Sequence, residues 1–571
     1  MSPGAANAGS VGAISPAAPG RQVVRPSLRA KLLGLGSIFG KSFRDSRQTA
    51  IALGLVFAVV VLATAAQIAE QFESVAARVR FAGELQGLPP IFQGMLGEPI
   101  AIERLGGFLS WRILNFLPVV LGIWCVVALS GTLAAEIGRG SMDLLATATI
   151  SRARIAFQKL AGYLVALAVA TGILVVGLAV AFAAFAKLPG DAVGLEAILA
   201  HSVWLYVAIL VPGAFAFALA PVVGRSQALS VGAIVLFASF VINGFADSVS
   251  AFDRVRGLSY FAITADHRPL AGRYDWPSIA LAGGVAAALF IVGLMAFARR
   301  DLLPATGGRI RVPSIGLWLR GPFTRALGER LPAALAWGLG LGLFGLITAT
   351  SADQFVESLG RIPEVVAMVR AFFPNEDILS TGGFLQLSFF SQAILAITLA
   401  AGGFVAGWAS DEGERRLELI LGAPVARAQW ALRSGAAVLV AIAIMTVVMA
   451  IGVAIGASTQ TGDVAGPVTG LAVLGLYGMA LAGIGLAVGG LVRPGLAAPV
   501  TIILGLGFYL LDLIGSILDL PDALLDLALN RHLGRPILGV YDPAGMALCA
   551  ALAVGGVVLC AIGMRRRDIG R

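Results

Sequence analysis

Twelve apolar stretches of about membrane-spanning length run through this chain, near residues 49–69, 113–134, 160–186, 201–222, 227–246, 278–298, 331–350, 386–408, 434–457, 467–491, 496–515 and 544–564. A helix gains 1.5 Å per residue, so roughly 20 apolar residues cross the hydrocarbon core of a bilayer. The expected fold is therefore an all-α polytopic membrane protein of about twelve transmembrane helices. A mean hydropathy of +0.90, with 58% hydrophobic and only 13% charged residues, excludes an ordinary water-soluble domain.

The chain also repeats itself. Gly106-Gly107-Phe108-Leu109 recurs as Gly382-Gly383-Phe384-Leu385, and each copy precedes a long apolar segment and a short charged stretch. Arg299-Arg300-Asp301-Leu302 is matched by Arg566-Arg567-Asp568-Ile569. Offsets of 276 and 267 residues leave few gaps, so the expected architecture is two parallel six-helix repeats. The expected divisions are a disordered cytoplasmic tail over 1–30, a first six-span half over 31–302, a cytoplasmic linker with an interfacial helix over 303–330, and a second half over 331–571.

An even number of spans puts both termini on one side. That side holds 28 of the 41 Lys and Arg but only 10 of the 32 acids, so it is expected to be cytoplasmic. The net charge of +9 then speaks for membrane-surface contact rather than nucleic acid. Amphipathic stretches precede each half's first span. Leu32, Leu35, Phe39 and Phe43 alternate with Lys31, Lys41 and Arg44; Leu317, Trp318, Leu319, Phe323 and Leu327 lie among Arg320, Arg325 and Arg330. Both suit the interfacial plane. Residues 247–277 and 516–543, on the opposite side, are apolar enough for re-entrant or interfacial helices.

Gly40-Lys41-Ser42 imitates a phosphate-binding loop, but Leu35 stands where the loop requires glycine and no strand precedes it. Any ATP must be bound by another polypeptide. Cys125, Cys549 and Cys560 sit in apolar segments and read as core; three histidines give no metal spacing. Gly338, Gly340, Gly342 and Gly345, and Gly485 with Gly489, are expected to let helices approach closely.

The charged stretches after the second span of each half carry the functional signal. One holds Glu136, Arg139, Asp143, Leu144, Leu145 and Arg152; the other Glu412, Glu414, Glu418, Leu419, Ile420, Pro424 and Arg427. Each reads as a short amphipathic helix ending in a basic turn, the form that docks into a partner's groove. Ionisable residues inside the spans are sparse. Asp512, with Asn115 and Asn243, are the candidate translocation-pathway residues, although Asp512 equally suits the headgroup level beside Asp519.

These paired segments resemble the coupling region of ABC exporter permeases of the second integral-membrane class. Pro424-Val425-Ala426-Arg427 matches that ending; Thr149-Ile150-Ser151-Arg152 lacks the proline, and Arg415-Arg416 replace the first copy's Gly-Ser step. The fused twelve-span form resembles tetronasin-type antibiotic exporters of actinobacteria, a source that the Ala/Gly/Arg-rich composition suits. The resemblance implies a transport subunit of the bacterial plasma membrane rather than an enzyme. It implies two copies of a separate ABC ATPase partner carrying ATP and magnesium, no cofactor on this chain, and an amphiphilic cargo moved outward. The rival expectation is a proton-coupled secondary transporter of the major-facilitator type; a sensor or scaffold is a third, disfavoured by the lack of a soluble signalling domain.

Overall fold

The computed structural model describes residues 37–567 apart from 73, 87–96, 139–150, 248–249, 300–320, 354–355, 358–379, 414–415, 423, 461–463 and 516–519. The expected tail over 1–30 and most of the 303–330 linker lie outside these residues. Among the described residues, eleven helices are long and apolar enough to cross a membrane, and one bent pair brings the number to twelve if the pair is a single span. In chain order the first to twelfth spans are Ile38–Gln71, the pair Leu105–Leu114 and Leu117–Thr132, Arg152–Phe185, Leu195–Val223, Gln227–Phe245, Trp276–Arg299, Pro322–Thr350, Thr381–Glu412, Arg427–Ala457, Ala465–Leu491, Pro494–Leu513 and Pro543–Arg566. Each apolar stretch read from the sequence falls on one of them.

The amphipathic stretches do not form separate helices among the described residues. Ile38–Gln71 and Pro322–Thr350 are continuous, so Phe39, Phe43, Phe323 and Leu327 belong to the same helices as the spans that follow. Gly40, Lys41 and Ser42 sit in the first of these helices, where the Ser42 hydroxyl donates to the Lys159 carbonyl at 2.9 Å. A helical backbone there leaves no loop of free amides to cradle phosphate.

Small residues decide which helices touch. The seventh span lies along the ninth, where a Cβ on Gly452 would stand 2.2 Å from the Gly342 carbonyl oxygen and one on Gly338 2.8 Å from that of Met445. The first span lies along the third in the same way, with Gly54 against Ala170 and Gly177 against Ala58. Gly345, Gly485 and Gly489 are also close-packed, as expected, but Gly340 faces open space. It sits on the exposed side of its helix, about 200° round from Gly338, whereas Gly338, Gly342 and Gly345 share the packed face.

The eighth span is the centre of the molecule. Of its apolar window 89% is buried, against 28% for the sixth span, which has a mostly lipid-facing surface. The fifth span packs on the eighth, and Phe344 of the seventh meets Phe245 at 5.4 Å and Phe389 at 5.3 Å between ring centroids. The halves therefore join through apolar and aromatic contacts. Cys125, Cys549 and Cys560 are free thiols buried in this core.

The stretches 247–277 and 516–543 form no long re-entrant helix among the described residues. Each is a run of short helical turns ending in a tight hairpin. Arg268-Pro269-Leu270-Ala271-Gly272 closes through a bridge between Arg268 and Arg273; Arg535-Pro536-Ile537-Leu538-Gly539 closes through β1 (Gly534–Arg535) paired with β2 (Val540–Tyr541). Gly272 (φ 81°) and Gly539 (φ 75°) take the left-handed conformation that such a turn needs.

Candidate coupling segments and pathway residues

At the base of the second half, the eighth span runs to Glu412, and Arg416–Leu421 forms the expected short helix. Its Glu418 is exposed and Ile420 half-buried; the side chains of Glu414 and Leu419 lie outside the described residues. The residue that anchors the helix is Leu417, which is wholly buried and was not singled out by the sequence pattern. Its signal was available, since Leu417, Ile420 and Leu421 share one helical face. Pro424 and Arg427 are exposed. Arg427 does not end the short helix. It is the first residue of the ninth span's helix, after a turn through Gly422.

Arg152 likewise opens the third span's helix, whose cap is Ser151, with its hydroxyl accepting from the Arg154 amide at 3.4 Å. Glu136 falls within the helix Leu117–Gly138, though its side chain lies outside the described residues. Arg139, Asp143, Leu144 and Leu145 lie outside them altogether.

The three candidate pathway residues are not brought together. Asn115 occupies the two-residue break of the second span, where the halves bend by 41° after a π-helical turn over Ser110–Leu114. Such turns insert a residue into the helix and often mark functional positions. The Asn115 Oδ1 accepts from Arg268 Nη1 at 2.8 Å, and Arg268 lies over the Trp204 ring at 5.7 Å. Burial lowers the Arg268 pKa from its ordinary value, while Glu98 and Asp266 pull it back up. Asn243 is half-buried on the fifth span. Asp512, at the end of the eleventh span, accepts from Asn530 at 2.8 Å and lies 3.8 Å from Arg531. It engages the following loop, and its side chain is 43% exposed.

A motif that the sequence reading missed holds the loop side together. The hairpin of each half rests on the first glycine of the duplicated Gly-Gly-Phe-Leu. A Cβ on Gly106 would lie 2.5 Å from the Leu270 carbonyl oxygen, and one on Gly382 3.5 Å from that of Ile537. The signal was the recurrence of Arg-Pro-x-x-Gly-x-Tyr-Asp at 268–275 and 535–542, again offset by 267 residues. Asp542 caps the twelfth span by accepting from the amides of Ala544 and Gly545. Asp275 receives the Ser278 amide at 3.4 Å at the start of the sixth.

Eleven to twelve apolar helices of membrane-spanning length among the described residues define a multi-pass, all-α membrane protein. Residues 319–565 match the family model described as "Multidrug efflux system permease Rv1217c, C-terminal domain". The chain is also 25% identical over 491 residues to the multidrug efflux system permease protein Rv1217c of Mycobacterium tuberculosis, covering 84% of this chain and 85% of that protein.

Proposed function

We propose that this chain is the membrane permease subunit of an ATP-driven exporter of hydrophobic or amphiphilic compounds, with ATP hydrolysed on a separate subunit. The observation that carries the reading is the short helix Arg416–Leu421, fixed to the protein by Leu417 while Glu418 and the turn at Pro424 stay exposed. Its sequence counterpart at 136–152 supports a second docking point, hence two ATPase copies under two parallel six-span halves. ATP binding closes the ATPase pair, and the docked helices pass that motion to the spans, which alternate between inward and outward states. The name of the mycobacterial relative supports drug efflux as the direction and cargo class. The charge asymmetry supports a cytoplasmic side for both termini and both docking segments.

The test uses proteoliposomes holding the full chain with its co-purified ATPase. They should move a lipophilic fluorescent dye with ATP and no imposed pH difference, and the chain alone should move none. Gradient-driven transport by the chain alone, lost in Asp512→Asn, would instead establish the secondary-transporter mechanism. Orientation is read separately. A cysteine at Ser74 should react with an impermeant thiol reagent in intact cells, and one at Ala426 should not.

A further inference from the structure

Two neighbouring carboxylates close the eighth span, and the 100° step between successive helix residues sends them to different partners. Asp411 is only 3% exposed; its Oδ1 accepts from Arg325 Nη2 at 3.4 Å and lies 3.9 Å from Arg416 Nε. Arg325 stands near the start of the seventh span's helix, and Arg416 opens the short helix. Glu412 turns instead to Arg567, the residue just past the twelfth span.

Arg567 does more than neutralise Glu412. Its Nη1 donates to the Gly489 carbonyl of the tenth span at 3.1 Å, and its own carbonyl accepts from Arg427 Nη1, at the start of the ninth span, at 3.2 Å. One side chain and one carbonyl thus tie the ends of the eighth, ninth, tenth and twelfth spans. Charge-assisted bonds of this kind fix direction as well as distance. Their worth to stability is another matter, since well-packed apolar groups replace buried ion pairs with little loss or a gain. The short helix also packs on the body of the protein through buried Leu417 and half-buried Ile420 and Leu421, apolar contacts that resist pulling but set no direction.

We propose that Arg567 is a positioning residue for coupling: through Glu412 on one side and Arg427 on the other, it converts displacement of the Arg416–Leu421 helix into movement of the tenth and twelfth spans. This role rests on the ATP-coupled reading above. The same displacement reaches the seventh span through Asp411 and Arg325.

The experiment compares wild type, Arg567→Gln and the charge-swapped Glu412→Arg/Arg567→Glu chain, each full-length, with its ATPase in proteoliposomes. The ratio of dye-stimulated to basal ATP hydrolysis is read beside thermal unfolding in detergent. Arg567→Gln should keep the ATPase bound, its basal rate and a near wild-type melting temperature, yet lose about tenfold in stimulated transport. The swap should recover only the part carried by the 412–567 ion pair, because a carboxylate at position 567 cannot donate to the Gly489 carbonyl. Wild-type stimulation in Arg567→Gln, or a folded swap as uncoupled as the single variant, would overturn the role of Arg567 alone. Failure of wild type to respond to ATP at all would overturn the exporter reading, and this role with it.

Discussion

Replacing Gly452 by alanine tests the helix seam most sharply. The added Cβ would stand 2.2 Å from the Gly342 oxygen, 2.5 Å from its carbonyl carbon and 2.7 Å from its Cα. Non-bonded heavy atoms settle at roughly 3.5 Å, so the seventh and ninth spans must part by about 1 Å. Both sides of the clash are backbone, and neither has a flexible end to swing away. The separation also loosens the neighbouring contacts of Gly456 with Leu346 and Gly338 with Val448. Overpacking of this sort costs about 1–3 kcal/mol, and we expect the upper end because the seam is long. Helix propensity gives alanine little in return, since separated helices stay helical in lipid. Gly340→Ala is the control: nothing lies within 4 Å of its Cβ, and a change below about 0.5 kcal/mol is expected. Reversible unfolding in mixed detergent micelles measures both. Equal losses in the two variants, or none in Gly452→Ala, would refute the reasoning.

Asp191 accepts both from Arg78 Nη1, at 2.7 and 2.9 Å, and from the Leu105 amide, and both ionic side chains are under 5% exposed. Asp191→Asn should cost about 3–5 kcal/mol in the same unfolding assay, because it leaves a buried guanidinium without its counter-charge. Leu417→Asp should lower the melting temperature and detach the short helix, whereas Ile420→Asp should leave folding intact and abolish ATP-coupled dye transport. Equal behaviour of those two variants would show that Leu417 is no anchor. Burial lowers the His267 pKa, against the raising influence of Asp275 and backbone hydrogen bonds, so the fold favours the neutral ring. The unfolded chain takes up its proton near pH 6.5, so this contribution is complete above that value and is lost as pH falls. Exchange of the Ala271 and Gly272 amides, corrected for intrinsic rate, should speed up between pH 7.5 and 5.5, and His267→Gln should abolish the difference.

The number, length and order of the spans were legible in the sequence, because a span is a local property: about twenty apolar residues satisfy the membrane whatever their neighbours are. The short helix at 416–421 was legible for the same reason, as a local amphipathic pattern. Glycine spacing showed that close helix approach was available and put Gly338, Gly342 and Gly345 on one face with Gly340 opposite, but which face a partner helix covers is decided by the tertiary structure. Asp411 and Arg567 acquire their roles from residues 86 and 155 positions away, and no local pattern encodes those meetings. The hairpins show the same division. Arg-Pro-x-x-Gly fixes a turn wherever it stands, but only the tertiary structure lays that turn on Gly106 or Gly382. Membrane insertion is decided segment by segment along the chain. Which faces meet is decided afterwards, by how closely backbones can approach and which buried charges find a partner.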